Sequence, residues 1–416
     1  MKSVAALICF FQSTELGAHM ENAKLQRRYD LDWLRVIAFS ILILFHAGMM
    51  FNTWGWHIKN KETSEVLEYI MIFFNQWRMP LLFFISGAAV WFALERYSTR
   101  RFIAERNKRL LLPLVFGMFV IIPPQVYYER IFQGQTHSFG EFYKTVLQLL
   151  PYPEGNFSWH HLWYIPYIFV FSLITIPLFR YLKSENGKIK LGRFIDRFGG
   201  NSFIFLWFVP IAISEITLRP FWPNNANNLL DDWAQFTSTL IIFCYGYFLA
   251  SHPAIWTTIE KNRFRALGLG IVTVSILYVM WYSDYEPTNF EYAIYRSLRS
   301  LNIWCWILTA LGFGKRYLNL NSPFLKYANE AVYPFYILHQ TITVVLGFYL
   351  INWPIGIPLK FFVLASGTFL GCWIIYEILI KRNNLMRIFF GLKADKTPKH
   401  LALRVEQRAT ASYQTE

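Results

Sequence analysis

The sequence predicts an all-α, polytopic membrane protein of about ten transmembrane helices with both termini cytoplasmic. Of its 416 residues, 55% are hydrophobic and only 16% charged, too apolar a balance for a soluble domain of this length. Apolar runs of about 20 residues, the length that crosses a bilayer as a helix, recur along the whole chain. The basic residues gather in alternate loops between these runs. The net charge of +14 therefore reads as membrane orientation and not as a nucleic-acid surface.

The runs fall near 33–52, 69–92, 110–131, 163–182, 202–219, 233–251, 266–283, 298–314, 331–351 and 357–380. The first opens at Trp33 and carries Arg35 and His46. The second carries Arg78 before Pro80, and the third follows a basic hairpin and closes at Glu129. The fourth is introduced by His160, His161 and Trp163. The fifth, sixth and eighth have the least distinct limits. The ninth holds His339, and the tenth is apolar up to Lys381. Trp54, Trp233, Trp281 and Trp353 stand at run ends, where aromatic side chains anchor helices at the interface.

One set of loops receives Arg27 and Arg28, the hairpin with Arg96, Arg100, Arg101, Arg106, Lys108 and Arg109, the cluster from Lys183 to Arg197, and Lys261, Arg263, Arg265, Lys315 and Arg316. The opposite loops carry Glu62, Glu65, Glu68, Glu141, Glu154, Asp231, Asp232, Asp284 and Glu286. An even number of crossings with the basic side cytoplasmic puts both termini in the cytoplasm. Residues 1–27 form a tail, 28–392 the membrane domain, and 393–416 a basic, polar tail. Val4 to Phe11 is short for a signal-peptide core and no small-x-small cleavage site follows it, so Met20 stands as an alternative start. No internal repeat of the transporter kind is visible. Cys9, Cys244, Cys305 and Cys372 are dispersed, which excludes a disulfide framework and a thiolate metal site.

Ionisable residues inside spans are costly and mark functional sites. His46 lies about 20 Å along its helix from Trp33, and Arg78 about 21 Å from Phe92 on the descending second run, so the two share a depth in the outer half of the membrane. His160, His161 and Glu129 belong to the same face. A histidine that takes a hydroxyl proton, beside a guanidinium that stabilises an oxyanion, is what acyl transfer requires. Each residue also has a plainer reading. His46 and His339 can be helix–helix hydrogen-bond partners, Arg78 can pair with Glu68 or Glu129, and His160–His161 can be a solvated pair. The hairpin at 96–109, Arg101 included, serves orientation or binds the phosphates of a cytosolic donor such as coenzyme A. No histidine spacing forms a metal-ligand set.

Five motifs occur in order. Arg35 and His46 stand on the first run with ten residues between them. Phe83-Phe84-Ile85-Ser86-Gly87 lies in the second. Arg106-Asn107-Lys108-Arg109 leads into Leu112-Pro113 in the third. His161-Leu162-Trp163 opens the fourth, and Tyr336 with His339 lies in the ninth. Together they resemble the integral-membrane acyltransferase family 3, over about 28–392. Arg78-Met79 and the stretch from Tyr336 to Thr343 look like the branch linked to succinylation of periplasmic glucans. The resemblance implies an O-acyltransferase that moves succinyl or acetyl from cytosolic acyl-CoA to a glycan hydroxyl at the outer face of the bacterial cytoplasmic membrane. It implies His46 as base or acyl carrier, with Arg35 and Arg78 beside it in the reaction. Arg106, Arg109, Arg101 and Ser86 go to the donor; His161, Trp163, His339, Tyr336 and Glu129 go to the acceptor. Acyl-CoA is then a substrate, and no permanently bound cofactor or metal is expected. A glycan or anionic-solute transporter, and a non-catalytic scaffold, are the rivals.

Overall fold

The computed structural model describes residues 27–200, 202–223, 227–283 and 288–395; Cys9, Met20 and the tail beyond 395 lie outside it. Every regular element among the described residues is helical. Helix α1 (Tyr29–Met49) starts with Asp30 and Asp32 in its first turn, where carboxylates suit the helix dipole. Helix α2 (Glu65–Arg96) is capped by Ser64, whose hydroxyl accepts the Leu67 N–H, and ends on Arg96. Helix α3 (Thr99–Phe132) is continuous but contains two π turns, Asn107–Leu111 and Gly117–Ile121. Its prolines at 113, 123 and 124 lack N–H groups, so carbonyls one turn earlier lose their helical partners. A hydroxyl replaces one of them, as Tyr143 donates to the Phe119 carbonyl at 2.9 Å; Thr341 adds a bond to the Ile121 carbonyl at 2.7 Å.

A short helix α4 (Phe139–Val146) follows, with a Ser138–Glu141 capping box. Helices α5 (Tyr164–Ile174) and α6 (Ile176–Lys183) meet at a 49° bend. Helix α7 (Glu185–Phe198) leads into α8 (Phe208–Leu218), and α9 (Trp233–Ala250) turns by 108° into α10 (Pro253–Lys261). Long helices complete the chain: α11 (Arg263–Trp281), α12 (Asn289–Tyr317), α13 (Pro323–Leu350) and α14 (Ile357–Ile380). A final α15 (Asn384–Phe389) docks on α3, where Phe389 stacks on Phe116.

Among the described residues six helices are long and apolar enough to cross a membrane, or nine if each bent pair is one crossing. The expected ten differ from this for physical reasons. The fifth run, near 202–219, folds as a 3-10 turn at Phe203–Trp207 plus an 11-residue helix, too short to cross alone. The eighth run belongs to α12, whose 29 residues reach about 44 Å. Its first half is polar because Arg296, Arg299 and Ser300 face a cavity, which lowers its apolarity below that of a lipid-facing span.

Helix α12 sits centrally, against α1, α2, α8, α10 and α11. Its buried Trp304 donates to the Ile204 carbonyl at 2.8 Å and stacks on Trp207. Helices α2 and α9 cross more closely than side chains permit. A Cβ on Gly87 would lie 1.8 Å from the Phe243 carbonyl oxygen, and one on Gly246 1.9 Å from that of Phe84. Glycine pairing of this kind is how membrane helices bring their backbones together. It also holds α2, and with it Arg78 and Ser86, in a fixed position.

Candidate active site

Two relays of side chains meet beside a cavity of about 800 Å³. The first links α1 to α13. His46 Nδ1 and His339 Nε2 are 2.7 Å apart, with the rings stacked, and His339 Nδ1 lies 2.7 Å from the Tyr336 carbonyl. A carbonyl oxygen only accepts, so His339 carries its proton on Nδ1 and a neutral His339 accepts at Nε2. His46 must then donate from Nδ1. Its Nε2 is left with the lone pair, as a general base requires. His46 lines the cavity, beside Trp56.

His161 fixes the same helix from another side. Its Nε2 donates to the Ile337 carbonyl at 3.0 Å, and the Tyr336 hydroxyl donates to the His161 carbonyl at 2.6 Å. The ring stands edge-on to His339, and its Nδ1 is buried without a partner. The pair His160–His161 is thus enclosed, not solvated. His160 has φ +35°, in the left-handed region that a non-glycine residue adopts only under tertiary constraint.

The second relay is Gln340–His57–Glu129. Gln340 Nε2 donates to His57 Nε2 at 3.0 Å, and His57 Nδ1 donates to Glu129 Oε2 at 2.5 Å. Glu129 Oε1 accepts from Tyr152 at 2.8 Å and Gln133 at 3.3 Å. Burial, with the Glu129 carboxylate beside it, pushes the Tyr152 hydroxyl up to about 12, so it stays a donor at working pH. His57, Glu129 and His160 bring their donor atoms within 4.8 Å of one another, a set able to hold a cation. Spacing could not show this, because the three come from separate elements. Tyr152→Phe is expected to lower stability by about 1–3 kcal/mol, the usual cost of removing a partner from a buried polar group. A thermal melt of the purified protein checks it, and an unchanged melt would refute the relay.

Arg78 is buried on the cavity wall. Its guanidinium sits 3.4 Å over the Phe45 ring, Nη1 donates to Asn75 at 2.8 Å, and Nε has no partner. It pairs with neither Glu68 nor Glu129. Trp163 lines the same cavity with Trp54, Trp56 and Trp159; Asn227, Asn228 and Gln235 supply amide groups.

The remaining expected residues lie elsewhere. Arg35 is eleven residues from His46 on α1, about 16 Å away along the axis. It donates to Asn329 and lies 3.6 Å from Asp32. Arg35 and Arg106 are within electrostatic range of Tyr164, and Arg106 and Arg109 within range of Tyr333. The Arg35 Nε and the Tyr333 hydroxyl are buried without partners. Ser86 is bonded to the Tyr164 hydroxyl at 2.6 Å, and that hydroxyl donates to the Leu82 carbonyl. Arg109 pairs with Glu105 at 3.3 Å; Arg101 is exposed, over Tyr97. The structure therefore separates a histidine centre from an arginine–tyrosine cluster further along α1. Sequence reading missed His57, Tyr152 and Gln340, and the cavity arginines Arg219, Arg296 and Arg299. The last three had a signal: they are cations on the acidic side of the chain's own charge pattern.

A family model described as an acyltransferase domain matches residues 28–377. Among curated relatives, the chain is similar to glucans biosynthesis protein C of Escherichia coli O139:H28, at 22% identity over 395 residues. The proteins of that name from Shigella dysenteriae serotype 1 and Escherichia coli K12 are 23% identical. Each alignment covers 89% of this chain and 96% of the relative. No solved structure matches the chain.

Proposed function

The chain belongs to the acyltransferase-domain family, and we propose that it is a membrane O-acyltransferase that draws on cytosolic acyl-CoA. The acyl group, succinyl first or acetyl second, goes to a hydroxyl of a periplasmic or surface glycan. The observation that carries this is the His46–His339–Tyr336 relay, which leaves His46 Nε2 as an acceptor at the cavity wall.

In the proposed reaction the acceptor hydroxyl gives its proton to His46 Nε2 while its oxygen attacks the thioester carbonyl. The Arg78 guanidinium, held by Asn75 and lacking a carboxylate partner among the described residues, stabilises the tetrahedral oxyanion. Collapse expels the thiolate of coenzyme A, which takes the proton from His46. Tryptophan faces and amide side chains along the cavity suit a sugar, and the relatives' name points to a glucan. Arg35, Arg106 and Arg109 are proposed to hold the donor's phosphates, with the unpartnered Arg35 Nε and Tyr333 hydroxyl among the groups a ligand would satisfy. A bacterial cytoplasmic membrane with both termini inside is the setting, with ten crossings if α12 and each bent pair count as one.

Mass spectrometry of periplasmic and surface glycans, from cells with wild type, His46→Ala or no protein, tests this. An acyl mass increment confined to wild type is expected, and its size names the group. Equal acylation in all three strains would overturn the reading in favour of a transporter or scaffold.

A further inference from the structure

The cavity has a second wall that the acyl-transfer chemistry does not use. Arg219, Arg296 and Arg299 line it together with Ser300, and Glu215 is the carboxylate among its lining residues. Arg219 takes most of the available negative charge. It binds Glu215 through Nε at 3.2 Å and Nη2 at 3.0 Å, and Asp232 through Nη1 at 3.1 Å. Arg296 reaches Glu215 only at 3.5 Å, and its Nε is buried without a partner. Arg299 has no ion pair among the described residues; its Nε donates to Gln76 at 3.0 Å. Positions 296 and 299 are one turn apart on α12, so they present one face.

Half-buried cations on a cavity wall inside a membrane protein, sharing one carboxylate with a third arginine, are costly and are kept where a ligand supplies the missing counter-charge. Guanidinium groups suit carboxylate and phosphate, which they bind through paired hydrogen bonds. We propose that Arg299 and Arg296 form an anion-recognition subsite, which selects a substrate carrying a carboxylate or phosphate away from the reacting centre. This rests on the acyltransferase reading for what the substrate is. The anion is then either the distal carboxylate of a dicarboxylic acyl chain or an acidic substituent on the acceptor glycan. Gln76 orients the Arg299 fork through its side-chain oxygen.

Binding can be measured without turnover, so the subsite and the acyl-transfer reading fail separately. The full-length protein, wild type, Arg299→Gln and Arg299→Lys, is titrated in detergent with succinate and glycerol phosphate, and with uncharged succinamide and glycerol as controls. Wild type is expected to bind at least one anion and neither control. Arg299→Gln weakens that binding about 10- to 100-fold, as loss of a charge-assisted pair does, and Arg299→Lys by less. Preference for succinate assigns the anion to the acyl chain, and preference for glycerol phosphate assigns it to the acceptor. Absence of anion binding by wild type, or equal affinity in a folded Arg299→Gln protein, overturns the subsite. Anion binding by a protein without transferase activity would leave the subsite standing and remove only the acyl-transfer reading.

Discussion

Replacing His46 by alanine is expected to lower acyl transfer about 10²- to 10⁴-fold, the span that a positioned general base supplies. The amount of folded protein should not change, since the ring faces the cavity and its loss leaves space, not a clash. His339→Ala should fall between this variant and wild type. It keeps the base but releases the proton on His46 Nδ1, so either ring nitrogen can carry the hydrogen. Rates of coenzyme A thiol release by equal amounts of purified protein give the order. Wild-type activity in His46→Ala would make the relay a helix–helix fastening and nothing more.

The second large effect concerns the frame. Gly87→Leu or Gly246→Leu is expected to abolish folded, monodisperse protein, because the added carbon meets a backbone carbonyl at 1.8 or 1.9 Å and the neighbour has no rotamer to retreat into. Overpacking costs about 1–3 kcal/mol where side chains can yield, and here the obstacle is backbone. Gly87→Ala should already reduce yield. Gly268→Ala is the control, since a Cβ there meets nothing within 4 Å and alanine favours a helix. Fluorescence-detected size-exclusion chromatography of the four variants distinguishes the outcomes; a normal profile for Gly87→Leu would mean that α2 and α9 do not cross at these glycines.

Much of the helical architecture was legible because bilayer length is a strong constraint on sequence. Helices α1, α2, α13 and α14 lie where apolar runs predict them. The reading weakened wherever a helix faces water inside the protein. Helix α12 carries Arg296 and Arg299 on its cavity side, so its apolar run looked shorter than the helix is. His46, Arg78, His161 and His339 were recognisable one by one as polar groups in apolar surroundings, and the structure gathers all four around one cavity region. His57 was not recognisable, because it stands in a loop and acquires meaning only from Glu129 on α3 and Gln340 on α13. Ser86 was expected near the donor. It bonds to Tyr164, within range of Arg35 and Arg106, and so reaches that cluster through another side chain.

In the proposed reaction one chain carries acyl groups from a coenzyme A thioester to a hydroxyl through His46. Purified protein in liposomes, given isotope-labelled succinyl-CoA on the side of the termini and an oligoglucose acceptor on the other, tests it most directly. Wild type should yield labelled acyl-glucan and free coenzyme A in equal amounts, and His46→Ala neither above background. Labelled acyl-glucan produced equally by His46→Ala, or movement of intact glucan with no thiol released by wild type, would rule out acyl transfer through His46.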